Sequence, residues 1–285
     1  MPNYNSFSRV KKPGSALPGL PLSLGITLLF VTLIILLPLS GLAWQMAQLS
    51  FADYWHIMTS ERTLASLRVT IGAAALATLV NGVFGLLLAW VLVRYRFFGR
   101  TMIDALVDLP FALPTAVAGI ALVSLYDKNG WIGQILEPMG IKISYTYWGI
   151  VIAMVFTSLP FAVRSIQPLI EELDHCAEAA AKTLGATDLQ IFTKVIFPQL
   201  TPGILTGVGL SFVRSLGEFG AVIFIAGNLP YKTEIASLLV MIRLDEFDYP
   251  AASAIAGSML GLSLILLLGI NIAQTAIYRR LEQGS

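Results

Sequence analysis

The sequence predicts an all-α, polytopic membrane protein of about six transmembrane helices, and three observations carry that expectation. Hydrophobic residues make up 56% of the 285 positions and gather into unbroken runs of about 20, the length that takes a helix across hydrocarbon. Charged residues amount to 12%, where a soluble domain carries roughly a quarter. Lys and Arg also concentrate between alternate runs. Lipid offers no hydrogen-bond partner to a backbone amide, so each crossing must be helical.

The elements follow in order. A polar leader, 1–21, carries Arg9, Lys11 and Lys12 like the charged front of a signal peptide. The apolar run behind it, Leu22 to Gln45, is too long for a signal core and lacks a small-residue cleavage pattern, so it reads as a retained first span. Phe51 to Arg62 reads as a short amphipathic helix with Tyr54 and Trp55 at the interface. Spans two to six are expected at Leu67–Val93, Asp104–Tyr126, Tyr147–Leu169, Gly203–Gly227 and Ala251–Tyr278, with a short tail at 281–285. Turn residues follow span three (Asp127-Lys-Asn-Gly130) and span five (Gly227-Asn-Leu-Pro230).

Orientation follows from the basic residues. With the N-terminus inside, Arg9, Lys11, Lys12, Arg94, Arg96, Arg100, Arg164, Lys182, Lys194, Arg279 and Arg280 fall in the cytoplasm. The other face receives Arg62, Arg68, Lys128, Lys142, Lys232 and Arg243, and Arg214 lies within a span. Eleven against six places both termini in the cytoplasm. The sharpest signal is the turn Arg94-Tyr-Arg-Phe-Phe-Gly-Arg100.

One connection is long. Residues 170–200 separate spans four and five, and a loop of that length in a compact protein usually works. It is helix-forming through Glu171, Glu172, Glu178, Ala179, Ala180, Ala181 and Lys182, stops at Gly185, restarts at Thr187-Asp188, and is expected to close at Pro198. Helix, turn, helix on the inner face is a shape that suits a partner's cleft.

Several classes of function drop out. A net charge of +1 and the absence of a basic stripe with interleaved aromatics exclude nucleic-acid binding. A single Cys176 beside His175 falls short of a metal ligand set. With only His56 and His175, and no nucleophile elbow, no hydrolase arrangement forms. The glycine-rich phosphate loop is also missing, so any ATP used must be bound by another chain.

Within the spans, Arg214 and Glu218 stand four apart on one helical face. Charges at that depth face a bundle interior or a wet cavity, so they read either as a gate in the pathway or as a structural ion pair. Asp104 and Asp108 repeat the spacing just before Leu109-Pro-Phe-Ala-Leu-Pro114. Pro110 and Pro114 interrupt the helix there, which reads as a kink with acids at a helix N-terminus or as a gate. Gly203 with Gly207, and Gly257 with Gly261, allow close helix approach.

The segment Glu178-Ala-Ala-Ala-Lys-Thr-Leu-Gly-Ala186, followed by Val195-Ile-Phe-Pro198, resembles the EAA loop of binding-protein-dependent ABC importer permeases. It departs from the pattern in one respect: Ala179 stands where the family's glutamate is common. Arg94 to Arg100, Asp108-Leu-Pro-Phe-Ala-Leu-Pro-Thr-Ala-Val-Ala-Gly119 and Gly217-Glu-Phe-Gly220 are similar to the molybdate and sulfate permease group. Ile225-Ala-Gly-Asn-Leu-Pro-Tyr-Lys-Thr-Glu-Ile-Ala236 and Leu244-Asp-Glu-Phe-Asp-Tyr249 are most similar to its T-type (also called U-type) sulfate/thiosulfate branch. The resemblance implies a type I importer permease fold in a bacterial-type inner membrane. It implies ATPase coupling through Glu178, Ala180, Ala181, Lys182, Thr183, Leu184, Gly185, Ala186 and Pro198, with a coupling helix at about Ala181 to Gln190. The implied partners are a homologous W-type permease, two ATPase subunits that use ATP and Mg, and a periplasmic sulfate-binding protein. This chain would bind no cofactor and catalyse nothing. Molybdate or tungstate is the alternative cargo, and a secondary anion transporter the rival of another class.

Overall fold

The computed structural model describes residues 20–283, with side chains over 22–277. The basic leader with Arg9, Lys11 and Lys12 lies outside the described residues, as do 284 and 285 of the tail. Helices and turns, with no strand among the described residues, make up the structure.

The chain divides into two units at Leu49. The first holds α1 (Leu20–Val31), a π-turn at Thr32–Leu36 and α2 (Leu37–Ala47). Leu22–Ala47 is one apolar helical span, as expected from Leu22; none of its side chains is buried, and most, among them Phe30 and Trp44, are exposed.

The second unit starts with α3 (Phe51–Thr59), where Ser50 accepts the amide of Asp53 at 3.1 Å. The Tyr54 hydroxyl meets Ser258 at 2.8 Å and Trp55 is exposed. Next come α4 (Glu61–Arg94), α5 (Arg100–Val107), α6 (Leu109–Ala112), α7 (Thr115–Tyr126) and α8 (Gly133–Leu136). They are followed by α9 (Tyr147–Glu171), α10 (His175–Thr183), α11 (Asp188–Ile191) and, after a π-turn at Phe192–Ile196, α12 (Phe197–Leu216). The unit ends with α13 (Val222–Ile225), α14 (Ala236–Asp245) and α15 (Tyr249–Gln283).

Helices α4, α9 and α12 form the centre, with α15 against α12 and α14. Small residues set their spacing. Ala73, Ala74 and Ala77 are fully buried. A Cβ on Gly207 would lie 3.0 Å from the Ala162 Cα, and one on Gly203 would lie 2.7 Å from the Ser165 carbonyl oxygen. The Gly203/Gly207 face is thus where α12 meets α9. Gly261 behaves differently, since a Cβ there meets nothing within 4 Å.

Five helices among the described residues are long and apolar enough to cross a membrane. The third expected span, 104–126, is assembled instead from α5, α6 and α7. Its breaks have a local cause. Leu113, ahead of Pro114, takes extended angles (φ −87°, ψ 134°) and Pro114 follows at ψ 130°, as the ring clash with the preceding residue requires. The fifth span also differs from its expected bounds of 203–227. It runs unbroken from Asp188 to Leu216 and stops at Gly217, and α13 is a separate turn. Pro198 does not close a helix as expected. The helix continues through the π-turn before it, with the Phe197 amide on the Phe192 carbonyl, and this wider turn accommodates Pro198 in the first turn of α12.

These contacts predict opposite effects for two glycines. Gly207→Ala should cost about 1–3 kcal/mol by forcing backbone apart and lower the melting temperature of the isolated chain in detergent, whereas Gly261→Ala should leave it unchanged or raised; equal shifts would contradict the packing described.

Candidate functional site

The long connection forms the helix–turn–helix that its residues suggest. Asp174 accepts the Cys176 amide at 2.8 Å to start α10. Gly185 ends it with φ 82°, a left-handed conformation that is inexpensive only for glycine. The amides of Ala186 and Gly185 then bond the carbonyls of Ala181 and Lys182, each at 3.1 Å, which is the Schellman closure of a helix. Thr187 and Gln190 form a capping box that starts α11. The single coupling helix expected at Ala181–Gln190 is therefore two helices meeting at Gly185, because left-handed glycine and capped Thr187 both oppose continuation. At the turn Leu184 is 89% exposed and Leu189 72%. Ala180, Lys182 and Thr183 are exposed, and Ala181, Ala186 and Pro198 half-buried.

Beneath the turn, Leu173, Ile191, Ile196 and Leu200 pack with Ala89 and Leu92 at the end of α4, and Ala181 and Ala186 lie against this cluster. Arg94, the last residue of α4, reaches across to α10. Its Nη2 contacts Glu178 Oε1, and its Nη1 meets Glu178 Oε2 at 3.4 Å and His175 Nδ1 at 3.1 Å. Its guanidinium carbon stands 4.9 Å from the centre of the Trp90 ring. Lys182 and Asp188 pair at 3.4 Å on the outside.

Arg164, on α9, gathers both aspartates of the broken third span. Its Nε and Nη2 hold Asp108 at 2.8 and 2.7 Å, and its Nη1 holds Asp104 Oδ1 at 2.6 Å. Asp104 lies inside α5, whereas Asp108 is at once the C-terminal cap of α5 and the N-terminal cap of α6, so of the two acids only Asp108 sits at a helix N-terminus. Its side chain makes no capping bond there, and both its oxygens bond Arg164 instead. Pro110 follows in α6, and Pro114 marks the break before α7.

Where α12 stops, Arg214 Nη1 lies 2.8 Å from Glu218 Oε2. Glu218 is fully buried. Its Oε1 accepts the Ala221 amide at 3.0 Å, which starts the chain toward α13, while Oε2 has the charge of Arg214 but no aligned hydrogen bond. Gly220 packs against α7, since a Cβ there would stand 3.2 Å from the Ala116 nitrogen. The two interrupted helices therefore meet at their interruptions.

Three groups of functional interest were not singled out from the sequence. Asn81 donates to Ser158 at 2.8 Å, to Ser211 at 3.2 Å and to the Val155 carbonyl at 3.2 Å, tying α4, α9 and α12 at their crossing. At the other end of α4, Arg62 holds buried Glu234 through two bonds of 2.9 and 2.7 Å. Arg164 entered only as a topological charge, and Arg94 only as such a charge and as part of the motif Arg94 to Arg100. The available signal was that a charge or amide in an apolar run must find a partner in another run.

Comparison with known proteins decides the family. Residues 81–283 match the family described as "Binding-protein-dependent transport system inner membrane component". This chain belongs to that family. The permease is thus a multi-pass inner-membrane protein with a transport role. It is 59% identical over 264 residues, 93% of this chain and 95% of the relative, to the "Sulfate transport system permease protein CysT" of Salmonella typhimurium. The protein of the same name from Escherichia coli is 58% identical with the same coverage, and that of Synechocystis 49% identical over 87% of each chain. Among solved structures, a bacterial ABC transporter involved in the import of the acidic polysaccharide alginate superposes with TM-score 0.74 at 19% identity, over 90% of this chain and 95% of that one. It supports the type I importer permease fold.

Removing one partner of the Arg214–Glu218 pair should do more harm than removing both. Arg214→Ala leaves a buried carboxylate uncompensated, at about 3–5 kcal/mol, and should lower folded yield; adding Glu218→Gln, which removes the charge but keeps an acceptor for the Ala221 amide, should recover most of it. Fluorescence-detected size exclusion of the single and the double variant measures this, and an equal loss in the double variant would contradict the pairing.

Proposed function

We propose that this chain is the T-type permease subunit of an ATP-driven importer of sulfate and thiosulfate, carrying no ATP site of its own. One observation carries the reading: the identity of 58–59% with two sulfate permeases extends over 93% of the chain. The geometry agrees with it. The helix–turn–helix of α10 and α11 presents Leu184 and Leu189 on a rigid, fully capped turn, as a surface that docks in a partner's groove should.

In this reading the turn lies on the cytoplasmic face with both termini. Glu178 to Ala186, with Pro198 behind, couples to an ATPase, and two such ATPases use ATP and Mg. A homologous W-type permease completes the pathway, and a periplasmic binding protein delivers the anion and supplies most of the selectivity. Closing the ATPase pair draws the turns together and opens the cavity outward; hydrolysis resets it, an alternating access by rigid-body motion. The meeting of the broken helices at Gly220 and Thr115, with Arg214 and Glu218 beside it and Asp108, Pro110 and Pro114 on the facing segment, is the candidate gate.

Radiolabelled sulfate uptake into vesicles containing the whole complex tests this. Uptake should require ATP and the binding protein and be displaced by thiosulfate. Preferential uptake of molybdate would move the chain to that branch, and ATP-independent uptake would overturn the importer reading.

The turn gives a further expectation. Gly185→Val imposes a left-handed β-branched residue, costing about 1–2 kcal/mol, and should leave insertion intact while lowering sulfate moved per ATP hydrolysed at least several-fold. Normal coupling in this variant would count against the docking role.

A further inference from the structure

We infer that Arg94 is the positioning residue that couples α10 to α4, and that Glu178 works inward on Arg94 rather than outward on a partner. The inference rests on the coupling role proposed for the α10–α11 turn.

The turn is covalently continuous with two core helices. Its front end follows α9 after only Glu172, Leu173 and Asp174, and its back end runs through the π-turn into α12. The third core helix, α4, has no such connection. Apolar contact with Ala89 and Leu92 joins them, but such contact is non-directional. The directional link is Arg94. Its guanidinium engages both oxygens of Glu178 and the ring of His175, one helical turn apart on α10, while Trp90, one turn back on α4, stands against its face. A planar fork held through both terminal nitrogens and against one face, with Nε buried and unbonded, fixes orientation as well as distance. The Arg94 side chain is only 15% exposed and that of Glu178 25%, so the pair is better shielded than a surface bridge.

The displaced acid now has a physical account. Glu178 sits one position before the place where a glutamate is common, and one helical step turns a side chain by about 100°. That step faces it to α4, leaving exposed Ala179 on the outer side. The charge that could have met a partner is consumed within the chain.

The test uses the reconstituted complex of permeases, ATPases and binding protein in Arg94→Gln, Glu178→Gln and the exchange Arg94→Glu/Glu178→Arg. Co-purified ATPase reports docking, and sulfate transported per ATP hydrolysed reports coupling. Each single variant should retain the ATPase and lose at least about five-fold in the coupling ratio, with substantial recovery in the exchange. Loss of ATPase from Glu178→Gln alone would mean that Glu178 faces the partner, and unchanged coupling in both single variants would make the pair ornamental; either overturns the inference. Loss of ATPase from Leu184→Ala with Arg94 intact leaves it standing and bears instead on where the partner docks.

Discussion

A polar group inside a bilayer has to be answered by the protein itself, and the architecture of this chain follows from where those answers are found. Continuous helices answer their own amides. Here two crossings are interrupted, at Pro114 and at Gly217, and an interruption leaves donors and acceptors without their partners in the helix. Each break is closed locally: the Ala118 amide bonds the Pro114 carbonyl at 3.1 Å, and the Glu218 carboxylate takes the Ala221 amide. A carboxylate used as a cap brings its own charge into the bundle, so Arg214 is needed beside it. The ion pair is thus a consequence of the break.

The same logic orders the other charged contacts. A buried pair is weakly stabilising against an apolar replacement of equal shape, but costly to break on one side. Charge pairs, whether buried on one side as at Glu218 and Glu234 or half-exposed as at Asp104 and Asp108, serve best where position matters more than stability. Arg164 holds the fragments α5 and α6 against α9 through Asp104 and Asp108, Arg62 holds the segment before α14 against α4 through Glu234, and Arg94 holds α10. Each binds a short or interrupted element to a long one, so charge replaces the extended apolar face that a short helix lacks.

This division explains what the sequence reveals. Long apolar runs at Leu67, Tyr147 and Ala251 mark helices because hydrocarbon thickness sets one length for all of them. The turn at Gly185 is equally legible, since a left-handed glycine and a Thr–Gln capping box are local signals. The broken third crossing was visible as two prolines yet not as three helices, because apolarity alone cannot distinguish one helix of 23 residues from fragments held by a neighbour. Pro198 misled for the converse reason: a π-turn, which no residue pattern announces, absorbed its missing amide. The partners of Arg94 and Arg164 lie 84 and 60 residues away, and pairing at that range depends on how helices lie together in space.

The arrangement also constrains how a movement could pass through the protein. The core of α4, α9 and α12 is locked by glycines set so close to a neighbouring helix that an added Cβ would stand about 3 Å from it and by the Asn81–Ser158–Ser211 knot, and packed interiors resist gradual deformation. A force applied at α10 and α11 enters α9 and α12 through the chain and, given the Arg94 contact, α4 as well. With all three helices driven from one end, the core has little reason to shear and moves as a block. Displacement must then be taken up where backbone is not already bound into a continuous helix, at Leu113–Pro114 and Gly217–Gly220. Those two breaks touch each other. Under the proposed coupling, a lever that moved only two of the three helices would instead spend its stroke distorting the knot between them.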